Sequence, residues 1–110
     1  MKPAKLRPLA QQDLIETAQY HAQAGGRALA ERFFDAALAA LKALQRMPAM
    51  GSPRIGKLCD IPRLRAWRVT GFPVQWFYFD VHDHLDVVRL VGERQDIAAL
   101  PGGAFDESVS

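Results

Sequence analysis

Only one cysteine, Cys59, occurs among 110 residues. An internal disulfide is therefore excluded, and the usage agrees with a reducing compartment. No apolar run approaches the roughly 18 residues that a membrane-spanning helix needs. The start, Met1-Lys2-Pro3-Ala4-Lys5, is basic, but no apolar core follows it. A secretory signal is not expected, and a cytoplasmic location is the default. The formal net charge is +2, too small to mark the whole chain as a nucleic-acid binder. Motifs for chemistry are also missing. Gly51-Ser52-Pro53-Arg54-Ile55-Gly56-Lys57 lacks the Walker spacing of a phosphate loop. His82-Asp83-His84 offers two imidazoles in a turn without the further ligands a metal site requires. Cys59 has no histidine at a telling spacing, and His21 reads as a packed or solvent-facing helical residue. No catalytic residue, metal or cofactor is expected.

What the chain does hold is 49% hydrophobic residues, enough for one core. Residues 1–100 read as a single domain and 101–110 as a short acidic tail. Lys5-Leu6-Arg7-Pro8-Leu9 can form a first strand with Leu6 inward, and Pro8 confines it to a sheet edge. A helix follows from about Gln11 to Ala24, with Leu14, Thr17, Ala18 and His21 on one thin stripe and Tyr20 near its edge. Gly25-Gly26 ends it, and a second helix runs from about Arg27 to Arg46. Its buried face is Ala30, Phe33, Phe34, Ala37, Leu41 and Leu44, opposite Glu31, Arg32, Asp35 and Lys42. So short a link implies an antiparallel helical hairpin. Pro48 stops the second helix, and residues 47–62 read as irregular.

From Leu64 to Asp96, three runs of β-branched and aromatic residues are divided by Gly71-Phe72-Pro73 and His82-Asp83-His84. That is the pattern of a three-stranded antiparallel meander. Alternation puts Arg65, Trp67 and Val69 on one face of its first strand, and Leu64, Ala66 and Arg68 on the other. The second strand, Val74 to Val81, is apolar on both faces. In the third, Val88 and Leu90 share a face opposite Leu85, Val87, Arg89 and Val91. A turn and short helix are expected from Glu93 to Leu100. The order is β-α-α-β-β-β: α+β class, a helical hairpin on a small, mostly antiparallel sheet, covered on one side and available on the other.

Charge is uneven along this plan. Residues 46–68 hold Arg46, Arg54, Lys57, Arg63, Arg65 and Arg68 against Asp60 alone. They form either a solvated loop and strand edge or a surface for an anionic partner. Arg65, Arg68, Arg89 and Arg94 sit on or just beyond the sheet. They suit bidentate contacts with phosphate or carboxylate, or else local pairs with Asp80, Asp86 or Asp96.

Three groups of residues together resemble the RelE/ParE superfamily of type II toxin–antitoxin toxins, over nearly the whole chain to about Leu100. They are Asp13-Leu14 with Tyr20; Leu64-Arg65-Ala66-Trp67-Arg68-Val69 with Gly71-Phe72-Pro73 and Phe77-Tyr78; and Val88-Arg89-Leu90-Val91 with Arg94-Gln95-Asp96. The last resembles the superfamily's Arg-Val-Leu-His…Arg-Asp ending, with Gly92 where histidine is common. The resemblance implies one of two activities. RelE-like members cut mRNA on the ribosome with basic residues and usually a C-terminal Tyr or His; ParE-like members poison DNA gyrase without hydrolytic residues. Here no Tyr or His follows the last strand, and Pro73 stands where RelE-like nucleases carry an arginine. Ribonuclease chemistry needs groups to activate the 2′-hydroxyl and protonate the leaving oxygen, and a permanently charged arginine does neither well.

The ParE-like branch is therefore the expectation: a gyrase-poisoning toxin, neutralised in a hetero-oligomer by a cognate antitoxin laid across hairpin and sheet. The alternatives are a RelE-like mRNA endoribonuclease and a non-toxic antitoxin-binding member. Target contacts are expected from Arg65, Arg68, Arg89 and Arg94. Antitoxin anchors are expected from Trp67, Phe72 and Trp76, with core packing as the competing role for each.

Overall fold

The computed structural model describes residues 1–92. The turn and short helix expected after Gly92, the acidic tail, and Arg94 lie outside the described residues. The elements are β1 (Ala4–Leu6), the helical segment α1 (Pro8–Arg46), a 3-10 turn (Pro48–Met50), α2 (Arg54–Leu58), β2 (Leu64–Arg68), β3 (Val74–Asp80) and β4 (Leu85–Gly92). The sheet order is β1-β4-β3-β2, with β1 parallel to β4 and the other pairs antiparallel. Among the described residues, no helix is long and apolar enough to cross a membrane.

α1 keeps helical backbone throughout except at Gly26, where φ is 85° and ψ 178°. Glycine enters that region at little cost, so the chain can reverse on a single residue. A straight helix of these 39 residues would be about 58 Å long at 1.5 Å per residue, yet the longest extent of the molecule is 38 Å. The two arms fold back on each other instead: the rings of His21 and Phe33 are 4.9 Å apart. Likewise the Lys2 N–H donates to Gln45 O at 3.1 Å, near the far end of the second arm. This is the expected helical hairpin.

Its start differs from the sequence reading. Pro8 opens the helix rather than sitting in the first strand, and Leu9 is helical. Proline lacks the N–H that the first helical turn leaves unused and has its φ already set for a helix, so it suits this position. β1 shrinks accordingly to three residues. The segment expected to be irregular also contains α2, whose Ile55 packs against the back of the sheet.

The hairpin covers one sheet face. Leu14, Phe33, Ala37, Leu41 and Leu44 pack on Val69, Val74, Trp76, Tyr78, Leu85, Val87 and Leu90. The opposite face is not left open, contrary to the one-sided arrangement expected. Leu64, Ala66, Phe77, Phe79, Val88 and Val91 form a second cluster there, against Ile55 and Ile61. β3 runs between both layers, which explains its two apolar faces. Each fully buried large side chain contributes about 1.5–3 kcal/mol, so Trp76, Phe77, Tyr78 and Phe79 make this strand the main apolar anchor.

β4 corrects the alternation read for the third strand. Phe77 pairs with Arg89 and Tyr78 with Val87, so Val88 is an extra residue. The bulge keeps Leu85, Val87 and Leu90 toward the helices and sends Val88 and Val91 to the back. Arg89, paired with Phe77, leaves the strand on the back face, and its guanidinium nevertheless reaches Asp13 of α1 at 2.7 Å.

Candidate functional site

β2 is the end strand, and among the described residues Ser52 alone continues the sheet beyond it. Ser52 and Ala66 exchange both backbone hydrogen bonds, at 2.9 and 3.0 Å. The loop that delivers Ser52 is pinned from below. The Tyr78 hydroxyl donates to Pro48 O at 2.6 Å and accepts from the Gly51 N–H at 3.0 Å. A Cβ on Gly51 would stand 2.3 Å from that hydroxyl, so the absence of a side chain permits the approach. From the side, Arg65 Nη1 donates to Ala49 O at 3.1 Å and Gly51 O at 2.7 Å. Burial pushes the Tyr78 hydroxyl above its ordinary value, opposed by the Gly51 N–H and the Arg65 charge. It stays neutral near pH 7 and acts as a pin rather than a proton carrier.

Next to the pinned loop, the β2 edge opens into a cleft of about 520 Å³, lined by Met50, Ser52, Trp67, Arg68, Thr70 and Gln75 among others. Gly71, at φ 85°, turns the chain out of β2 at its rim. The lining offers a guanidinium, two hydroxyls, an amide and an indole face. These groups bind and orient; none of them is suited to move a proton near neutrality.

Arg65 and Arg89, also expected to contact a target, are engaged within the fold. Arg65 is the loop clip just described. Arg89 forms a bidentate pair with Asp13, at 2.7 and 3.0 Å, and both side chains are mostly buried. The same carboxylate accepts the Leu90 N–H at 3.0 Å, closing part of the β4 edge beyond β1. That hydrogen-bonded carboxylate raises the Arg89 pKa, with burial opposing it. The local pairs weighed from sequence are otherwise distributed: Asp86 holds Arg7 at 2.7 Å and Asp80 holds Lys2. Asp13 as the partner of Arg89 is legible only from the fold.

The three aromatic candidates separate cleanly. Trp76 has no exposed surface and its indole N–H donates to Ala37 O at 3.0 Å. It belongs to the core beneath the site, because an interface anchor must present surface. Trp67 is half-buried and lines the cleft. Phe72 is half-buried and packs edge-on to Phe33 and His21, at 5.3 and 5.1 Å. It joins the strand turn to the hairpin.

The sequence reading missed a second groove, about 380 Å³, along the seam of the hairpin. Ala18, Ala22, Ala30 and Phe34 form its floor, with Arg27, Glu31 and Asp35 around it. Phe34 was expected in the buried face, yet 39% of it is exposed. Alanines at four-residue spacing were the available signal, since small side chains let two arms approach but leave a furrow. In the β3–β4 turn, Asp83 and His84 are bonded to each other at 2.6 Å, which lowers the Asp83 pKa. Among the described residues, no three His, Cys, Asp or Glu side chains stand together to hold a metal ion.

Comparison with known proteins gives one family and one fold. The family model described as the ParE toxin of the type II toxin–antitoxin system parDE matches residues 4–97. Among solved structures, one described as the chromosomal ParDE toxin–antitoxin system from P. aeruginosa superposes with a TM-score of 0.72. The two are 17% identical in sequence, and the match covers 84% of this chain and 96% of the other. No curated protein matches.

Proposed function

Because this chain belongs to the ParE toxin family of type II toxin–antitoxin systems, we propose that it stops bacterial growth by binding DNA gyrase and is silenced by a cognate antitoxin. The family match across residues 4–97 carries this reading. The cleft's chemistry supports it, because a lining that binds but moves no protons suits contact with a protein target better than cleavage of RNA. Pro73, where RelE-like nucleases carry an arginine, points the same way. Gyrase poisoning requires the toxin in the cytoplasm.

Arg68, exposed at the cleft, is the proposed target contact on the described surface, with Arg94 beyond it in sequence. Arg65 and Arg89 support the surface through their intramolecular bonds. The antitoxin is proposed to anchor on Trp67 and Phe72, joining cleft to hairpin in a hetero-oligomer.

The test is expression in a sensitive host together with purified gyrase. Filamentation, DNA-damage signalling and cleaved DNA trapped on gyrase are expected, and co-expressed antitoxin restores growth. Rapid translational arrest with mRNA cut in the ribosomal A site overturns the proposal in favour of the RelE-like reading. No growth defect overturns it in favour of a non-toxic antitoxin-binding role.

A further inference from the structure

The positive charge of this chain is concentrated in one stretch. Residues 46–68 carry six cations and one carboxylate, net +5; the remainder, with eight cations and eleven carboxylates, is −3, which together give +2. The fold collects that stretch at one side of the molecule, since β2 is the end strand and both the 3-10 turn and α2 attach to it. Arg46, Arg54, Lys57, Arg63 and Arg68 are all exposed there.

The platform is built rather than loose. Gly56 is buried, and a Cβ on it would stand 2.7 Å from both Ile61 O and Leu64 O. That close approach seats one face of α2 against the chain returning into β2. Ile55 is drawn toward the back cluster, and Arg54 and Lys57, three residues apart on one side of the helix, face outward. Asp60 and Arg63, with φ of 56° and 70°, shape the return. The Ile61 N–H fixes it through a 2.8 Å bond to Gly56 O.

We propose that this basic edge binds the phosphate backbone of duplex DNA without reading its sequence. Five of the six cations are arginines, whose planar fork suits phosphate. The exposed large apolar side chains in this stretch are Met47 and Leu58, neither aromatic, while Trp67 is packed against the helix-side core. Unstacked bases of a single strand need aromatic faces, so a duplex backbone fits better. α2, a five-residue helix, offers point charges for positioning rather than a long helix to read a groove. The inference does not depend on gyrase being the target.

The experiment is fluorescence anisotropy of the full chain with a labelled random-sequence DNA duplex, titrated across a series of KCl concentrations. Neutralising three or four phosphates predicts a slope of log K against log salt near about −3. The pair Arg54→Glu and Lys57→Glu is expected to weaken binding at least roughly tenfold and flatten the slope by about 2, with the melting temperature unchanged. The matched reversal Arg27→Glu and Arg32→Glu on the hairpin changes net charge equally and is expected to leave affinity within about twofold, since it removes no phosphate contact. If the first pair fails to fold, Arg54→Gln with Lys57→Gln replaces it under the same criterion. Salt-independent binding, equal loss in both pairs, competition by polyglutamate as effective as by DNA, or tighter binding of single-stranded RNA each overturns the proposal.

Discussion

Replacing Tyr78 by Phe removes a single oxygen and tests how the cleft is held. That hydroxyl satisfies the Pro48 carbonyl at 2.6 Å and the buried Gly51 amide at 3.0 Å. Without it two backbone groups lose their partner, and each buried unsatisfied group costs about 1–3 kcal/mol. The removed hydroxyl no longer has to be desolvated, which offsets part of this and leaves about 2–3 kcal/mol. For a domain of this size each kcal/mol moves the melting temperature by about 4–8 °C, so a fall of roughly 8–24 °C is expected. The pH dependence gives an independent check. Burial raises the Tyr78 pKa above 10.0 in the folded state. Its stabilising effect is then complete below about pH 10 and is lost as pH rises through the higher folded value. The gap between wild type and Tyr78→Phe should therefore narrow in strongly alkaline solution. Thermal unfolding followed by circular dichroism at neutral and alkaline pH measures both. A drop of less than about 2 °C at neutral pH would refute the reasoning, because at this scaling it leaves no room for two orphaned backbone groups.

Gly51→Ala presses a methyl group against the same hydroxyl, 2.3 Å away, and should cost about 1–3 kcal/mol in urea unfolding although the backbone angles at Gly51 suit any residue. Asp13→Asn keeps the shape of the side chain but leaves Arg89 facing a neutral amide. A loss of about 1.5–3 kcal/mol is expected in the same assay, and a stability within experimental error of wild type would show that the pair does no more than an exposed one. Arg68→Ala should weaken growth inhibition while leaving the melting temperature within about 2 °C, as expected for an exposed surface change. Unchanged inhibition removes Arg68 from the target surface.

Much of the fold is written locally. The 3,4 spacing from Ala30 to Leu44, the glycine at position 26, and the three β-rich runs broken at Gly71 and His82 each act over a few residues. They specify a helical hairpin and a meander without reference to any distant contact. The residue groups around Trp67, Phe77 and Arg89 likewise pointed to the family that the match over residues 4–97 shows. The arrangement at the sheet edge needed the third dimension. Tyr78 meets Gly51 across 27 positions, Trp76 meets Ala37 across 39, and Arg89 meets Asp13 across 76. No local periodicity encodes such pairs. The Val88 bulge brings Leu90 to the helix face opposite Trp76 by adding one unpaired residue, which a strict two-residue alternation cannot anticipate. Charge behaves in the same divided way. Composition along the chain located the cations between residues 46 and 68. Tertiary packing of α2 through Gly56 turned Arg54 and Lys57 outward, while Arg65 was drawn in to close the loop.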